Sequence, residues 1–515
     1  MARSGSLGAV LAVLSFAGTC SAQESGRAGS PGSRQPALAE SVDAQQGITT
    51  RQALVEHMWA LAGDQTEGRG LGQPGLTAAI EYAEKALREV GTLPGYHCDA
   101  GLATYLQPVP IVRYQFGSGT WARIERADGT NSLVPGENMV VLVAGKDKRD
   151  VASATPVFIG YGISEPELGW DDYANVDVRN RLVFILAGGY DELPRGLREE
   201  YTDPRSGPVK IAAAVQDHGV AGAVVIPSAD LFSQWELLAD MYAEGTYVAA
   251  NSPEYLPVPA VAFGRESLHD VFRGTAYDPV TREGTYASFP LVGVKIALHV
   301  DATRELVSSY NVLGLVRGSD PVHADELVVV SAHIDHLGIV DGEIHNGAND
   351  DASGSAIVLE LARRIAARPT HRSVLFALFT AEEVGHYGSL HFLEQVGNLG
   401  REVVSSLNLE HMGRSEDGTL VATAAVDLLS RVHRVADRAG GQRLRVRRLE
   451  EGGGAISGSD SFSFLLHDIP LVIVGGGMFP EYHSPLDDVD RIDFDLLEDG
   501  VVIGEALVRA IGEVE

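Results

Sequence analysis

The sequence predicts an α/β protein with a mostly β block inserted into it. Three observations carry that expectation. From about residue 295, apolar runs of strand length alternate with amphipathic helical stretches, the pattern of an α/β sheet. Residues 117–294 instead hold short strand-like runs between Gly and Asp or Asn turns. In the carboxyl-terminal part, motifs rich in acid and histidine follow strands or precede a helix.

The composition suits large cores: of 515 residues, 45% are hydrophobic and 21% charged. The formal charge of −30 opposes nucleic acid and anionic membrane surfaces as partners and leaves the substrate open. Residues 1–22 read as a secretory signal. Arg3 is the positive start, Gly8 to Gly18 an apolar run, and Cys20 and Ala22 are the small residues before Gln23. The expectation is a secreted or periplasmic protein, with lipid attachment at Cys20 as the alternative. Cleavage would leave Cys98, a lone thiol that cannot form an internal disulfide. No other run reaches the roughly 18 apolar residues of a membrane span, so an integral membrane protein is not expected.

Residues 23–47, rich in Gly, Ser, Pro, Gln and Ala, read as a disordered linker. Residues 50–63 and 77–90 have helical periodicity, with Ile80, Ala83, Ala86 and Leu87 on one face. Tyr105 to Tyr114 is extended, its prolines suiting an edge. In the middle block, Val140 to Val143, Pro156 to Ile159, Leu182 to Leu186 and Ala223 to Ile226 read as strands, and Lys210 to His218 as a helix. The block has no cluster of His and carboxylates, so a packing, capping or orienting role is expected of it. Beyond it, Glu326 to Ser331, Ser373 to Phe379, Val403 to Leu409 and Leu471 to Val474 are predicted strands. Ala352 to Ala367, Ser389 to Val396, Ser461 to Leu466 and Leu496 to Ile511 are predicted helices.

Five motifs ride on this frame: Ser331-Ala332-His333-Ile334-Asp335-His336, Gly347-Ala348-Asn349-Asp350-Asp351-Ala352-Ser353-Gly354, Thr380-Ala381-Glu382-Glu383, Asn408-Leu409-Glu410-His411-Met412-Gly413 and Glu481-Tyr482-His483-Ser484-Pro485. Open α/β sheets carry their sites beyond the carboxyl ends of the strands, where these groups fall. Imidazole nitrogens and carboxylate oxygens hold Zn²⁺. Two His and three carboxylates suffice for two ions if one carboxylate bridges them, which leaves Glu382 to move protons. Singly, each motif has a plainer explanation. A Glu-Glu pair is usually a solvated face, His483 a surface histidine, and an Asp before a helix a cap, a part that suits Asp351. His336, His345, His386, His411 and His467 read as packing or surface groups, with His345 and His411 near enough to the motifs to line a pocket. Gly452 to Gly454 and Gly475 to Gly477 lack the Lys and helix of a phosphate loop and read as close backbone approaches.

In this order the motifs resemble a family of dizinc exopeptidases that includes secreted bacterial and fungal aminopeptidases, glutamate carboxypeptidase II and the metal-free transferrin receptor. The resemblance covers residues 295–515 closely and extends to 48–116 as the first part of the catalytic domain. Phe158-Ile159-Gly160-Tyr161-Gly162 and Gly169-Trp170-Asp171-Asp172-Tyr173 resemble the protease-associated domain often inserted in this family, here 117–294. The resemblance implies a mixed central sheet flanked by helices and two Zn²⁺ ions. It makes His333 and Glu410 ligands of the first zinc, Glu383 and His483 ligands of the second, and Asp350 the bridge, with a cis peptide after it. It makes Glu382 the general base, Asp335 the carboxylate that orients His333, and Tyr482 a hydrogen-bond donor to the oxyanion. Three departures stand out. The family commonly has Asp where Glu410 stands, an apolar residue where His411 stands, and Ser-Asp-His where Ser459-Asp460-Ser461 stands. The implied function is a zinc aminopeptidase acting on peptides or proteins. A carboxypeptidase or other amide hydrolase, for which Arg414 and Arg443 to Arg448 keep a carboxylate anchor open, and a non-catalytic binding protein are the alternatives.

Overall fold

The computed structural model describes residues 49–514 apart from 99–100, 145–149, 189, 191, 203–206, parts of 229–244, 251–257, 439–442 and 450–457. The expected signal and linker, and Gly452 to Gly454, lie outside the described residues. Two compact units emerge: Ile111–Leu306, and the chain before and after it.

The outer unit begins with α1 (Thr50–Ala62), started by a capping box in which Thr49 and Gln52 satisfy each other's backbone N–H. Pro74 opens α2 (Pro74–Glu89) at a position where a missing N–H costs nothing, and Leu76, Ala79, Ile80, Ala83 and Leu87 face the core. The sheet then takes β1 (Leu106–Phe116), β2 (Ala302–Val316), β3 (Glu326–His333), β4 (Ser373–Phe379), β5 (Glu402–Glu410), β6 (Leu420–Ala424), β7 (Leu444–Arg448) and β8 (Leu471–Gly475). Its order is β1-β2-β4-β3-β5-β8-β6-β7, with Thr246–Ala249 pairing antiparallel on the outer side of β1. The central block β4-β3-β5-β8 is parallel, while β2 and β6 pair antiparallel with its flanks. The sheet is therefore mixed. β3 is buried along nearly its whole length, as a parallel strand covered on both faces must be.

Helices α3 (Ser353–Ala367), α4 (Tyr387–Gln395), α5 (Leu429–Arg438), α6 (Ser461–Leu466) and α7 (Phe494–Gly512) complete the unit. α3 packs against α1, α7 and β3. Even its Glu360 is fully buried, and it is tolerated because Arg363 and Arg364 pair with it at 2.7 and 2.9 Å. Asp493 caps α7 by accepting from Asp495 and Leu496 N–H. β6, α5 and β7 stand outside the elements expected from the sequence, although Val432, Val435 and Ala436 give α5 a helical spacing. In β7 the charge of Leu444-Arg445-Val446-Arg447-Arg448 masks an edge strand whose arginines face outward.

Within Ile111–Leu306, strands outnumber helices among the described residues. One sheet has the order Phe289–Pro290, Val157–Phe158, Leu182–Leu186, Gly222–Ile226, Ala260–Phe263, Met139–Val143, and its inner strands are parallel. An antiparallel sheet joins Gly129–Leu133, Trp121–Arg126, Lys295–His299 and Asp150–Ser153. Phe158, Phe184 and Phe263 are fully buried in this unit's own core. Asp172 is buried beside them and accepts from Ile163 N–H, Trp170 Nε1 and Tyr286 Oη at 2.9, 3.2 and 3.2 Å. Among the described residues no helix is long and apolar enough to cross a membrane.

Candidate metal centre

The four parallel strands end at one edge of the sheet, and each ends in or leads to a candidate group. His333 is the last residue of β3 and Glu410 the last of β5; Glu382 and Glu383 follow β4, and the loop after β8 carries Tyr482 and His483. Asp350 enters from the turn ahead of α3. The peptide between it and Asp351 is cis, as the family resemblance implied.

The distances give this edge a specific character. Asp350 Oδ1 lies 3.1 Å from His333 Nε2, and Asp350 Oδ2 lies 3.2 Å from His483 Nε2. Glu383 Oε2 is 3.1 Å from the same His483 Nε2. Two donors bound at about 2.0–2.1 Å to one tetrahedral zinc stand about 3.3 Å apart, so all three separations suit pairs of ligands. Asp350 Oδ2 and His483 Nε2 are buried atoms without a hydrogen-bond partner, which suits a shared cation better than a bond between them. Two groups of close donors overlap here: His336, Asp350, Glu383 and His483, and His333, Glu382 and Glu383. The residues present fit Zn²⁺, and one carboxylate faces two imidazoles with different oxygens.

Local structure explains the placement. Asp487 accepts Asn349 N–H at 2.8 Å and Asp350 N–H at 3.0 Å, fixing the backbone that presents Asp350. Asp351 accepts Gly354 N–H at 3.1 Å and so takes the capping part expected of it. Its carboxylate also receives the N–H groups of His411 and His333 at 3.3 and 3.4 Å. Arg69 is fully buried, and among the described residues it has no carboxylate partner. Its guanidinium donates to the carbonyls of Leu61, Ile334, Asn346 and Gly347 at 2.6–2.9 Å, tying together the turns around Asp350.

Asp335 acts differently from the part the resemblance implied. The oxygen at His333 Nδ1 is the peptide carbonyl of Asp335, at 3.0 Å. The Asp335 carboxylate instead receives Glu382 N–H at 3.2 Å and Glu383 N–H at 3.4 Å. It thus holds the backbone of both glutamates, because the turn after β4 brings two unpaired N–H groups to it.

Burial and crowding dominate the electrostatics. Burial pushes the Glu382 carboxyl well above its usual range against the pull of His333, and Glu383, Asp460 and Glu410 push the same way. Burial raises Glu410, and raises Asp335 to about 6. Asp350 goes the other way: burial would raise it, but the imidazoles of His333, His411 and His483 beside it hold it well below the carboxylate range. Burial works against a charged His483, yet Glu383 and Asp350 push it up to about 10. A cluster so rich in carboxylates calls for cations.

Of the residues singled out from sequence, His333, Asp350, Glu382, Glu383 and His483 come together within reach of a metal. Glu410 belongs to the same field of charge, and its Oε1 accepts from Asn408 Nδ2 at 2.8 Å. The Tyr482 ring stacks on His483 at 3.8 Å and is partly exposed. Arg414 pairs with Glu481 at 3.3 Å, and Arg443 and Arg445 pair with Asp499 and Asp417. Sequence reasoning missed Arg69, Asp487 and His336. The first two belong to no motif, whereas His336 stands inside one but reads as a packing or surface group.

Residues 311–501 match the family model of peptidase family M28. Aminopeptidase YwaD of Bacillus subtilis is 27% identical over 251 residues, covering 44% of this chain and 53% of that protein. Aminopeptidase NAALADL1 of Mus musculus is 34% identical over 184 residues, covering 31% of this chain and 23% of that protein. The chain thus spans about half the length of the first relative, 53%, and less of the second. The solved structure of an aminopeptidase from Aneurinibacillus sp. strain AM-1 superposes with a TM-score of 0.57 at 20% identity, covering 89% of this chain and 93% of that one. BSAP, a zinc aminopeptidase from Bacillus subtilis, does so with 0.50 at 16% identity, over 90% of this chain and 95% of that one. At these identities the structural likeness is one of fold.

Proposed function

From residues 311–501 as a peptidase family M28 domain, we propose that the chain is an exported dizinc aminopeptidase, removing N-terminal residues from peptides or proteins. The observation that carries this is Asp350, whose two oxygens face His333 and His483 at 3.1 and 3.2 Å. In this reading His333, Asp350 and Glu410 hold one Zn²⁺, and Asp350, Glu383 and His483 the other. When bound, the ions supply Lewis acidity toward water and the scissile carbonyl.

The side chains do the rest. Glu382 is the general base. Its raised proton affinity suits it to take a proton from the attacking water and hand it to the leaving amine. Asp335 keeps Glu382 in place through the backbone. Burial and the nearby carboxylates, Asp350 foremost, keep the Tyr482 hydroxyl protonated, so it can donate to the oxyanion. The engagement of Arg414, Arg443 and Arg445 with acidic side chains weighs against their anchoring a substrate carboxylate and favours the aminopeptidase over the carboxypeptidase. We assign 1–22 to export on its signal pattern, and 117–294 to a protease-associated domain on the sequence resemblance described above.

Hydrolysis of paired free-amine and N-acylated peptides by zinc-loaded protein tests the proposal. Free-amine peptides alone are cleaved, and Glu382→Ala lowers kcat by about 10²–10⁴-fold. Cleavage of acylated peptides from the carboxyl end would move the assignment to a carboxypeptidase. A protein that binds no zinc would favour a non-catalytic binding role.

A further inference from the structure

Glu383 meets two imidazoles, one with each oxygen. Oε2 lies 3.1 Å from His483 Nε2, the spacing of two ligands on one ion. Oε1 lies only 2.6 Å from His336 Nδ1. Donors sharing a tetrahedral zinc stand about 3.3 Å apart, so this second contact is a hydrogen bond and not a pair of ligands. The His336 side chain is fully buried, and its Nε2 has no hydrogen-bond partner, so Nδ1 is the atom through which the ring acts.

The ring has little freedom to do otherwise. The His336 N–H donates to the Arg69 carbonyl at 3.2 Å. Gly347, at φ 56°, lies flat against the imidazole, and a Cβ there would come within 2.4 Å of Cγ and Cδ2. Arg69 in turn holds the Gly347 carbonyl at 2.9 Å. The ring edge also meets His483, with 5.6 Å between centroids. Backbone and glycine together aim Nδ1 at Glu383.

We propose that His336 is a positioning residue for the metal site: its Nδ1–H occupies Glu383 Oε1 and leaves Oε2 alone to face the position shared with Asp350 and His483. This rests on the dizinc reading above. It adds that one of the two ions depends on a histidine that does not touch it. Fixing a ligand from behind sets its direction and basicity, and loss of such a partner costs about 10–100-fold in metal affinity.

Zinc titrations against a competing chelator, with bound ions counted by native mass spectrometry, separate the two equivalents. His336→Phe keeps a ring and removes the donor; His336→Asn places an amide N–H near the position of Nδ1. The expected result is a loss of about 10–100-fold for one equivalent in H336F, an unchanged second equivalent, and recovery in H336N. Wild-type affinity for both ions in H336F, equal weakening of both, or no recovery in H336N would overturn the proposal. Should H336F fail to fold, judged by circular dichroism, H336N and His336→Gln decide instead. Gln reaches toward the Nε2 position, so only the Asn variant keeps the weaker-held ion, and equal affinities overturn the proposal. Two ions in the wild type with an indifferent H336F would refute this inference alone; a wild type that binds no zinc would refute the function it rests on as well.

Discussion

At Arg69 a permanent cation sits fully buried next to a concentration of carboxylates, yet among the described residues its guanidinium donates to peptide carbonyls. Burial lowers its proton affinity, and Asp487, Asp350, Asp335 and Asp351 offset part of that cost by their charge. Arg69→Met should therefore destabilise the protein by more than about 3 kcal/mol, since it orphans four carbonyls and removes a counter-charge. Urea unfolding should show the greater loss in metal-free protein, where no zinc offsets the carboxylates; equal losses with and without zinc would limit Arg69 to its hydrogen bonds. The candidate ligands were legible because each sits in a short motif that follows a strand or precedes a helix. Arg69 was not, because a lone arginine between two helices carries no pattern. The partner of Asp335 was hidden for another reason: backbone N–H groups some way along the chain leave no trace in residue type.

Among the elements, α3 decides how closely the motif turn approaches the sheet. A Cβ at Gly354 would come within 2.2 Å of the Leu409 carbonyl in β5. Gly354→Ala should push the start of α3 off that strand, at a cost of about 1–3 kcal/mol, and displace Asp350 with it. Thermal melts and zinc affinity should fall together; a lower melting temperature with intact zinc binding would show that the turn relaxes independently of the helix. The periodicity of 326–411 revealed the central strands and α3 because both faces of that layer are buried and apolar runs dominate. β7 was obscure because it lies on the surface, where arginine outweighs the apolar signal, whereas α5 shows helical spacing at Val432, Val435 and Ala436. The site was legible to the extent that it is built on the central strands.

For the whole molecule, the core of Ile111–Leu306 is distinct from the two cores of the outer unit, which predicts two separable responses. Chelation should lower the stability of the unit that carries the metal centre by about 2.7 kcal/mol when free zinc had stood at 100 times Kd, and leave Ile111–Leu306 unmoved. Calorimetry with and without chelator checks this, and a uniform shift would contradict it. Ile111–Leu306 should respond to pH instead. Burial pushes Asp172 up to about 7 from an ordinary 3.8, against hydrogen bonds from Ile163, Tyr286 and Trp170. The folded unit thus binds more protons than the unfolded chain between about pH 4 and 7. Its stability falls as pH rises through that window, by at most about 1.4 kcal/mol per unit, and Asp172→Asn should flatten the slope in urea midpoints. The change of texture near residue 117 was visible in the sequence, whereas the parallel pairing inside the unit was not, since short apolar runs do not declare their direction. The position of this unit in the chain also sets a timetable. α1 and α2 are synthesised before it, while α3 and α7, against which α1 packs, come after. About 290 residues separate α1 from α3, and at about 5–20 residues per second a ribosome needs roughly 15–60 s to make them. During that interval Leu54, Met58 and Leu61 lack the partners that α3 and α7 later supply, so the newborn chain offers chaperones a greasy helix that the finished protein conceals.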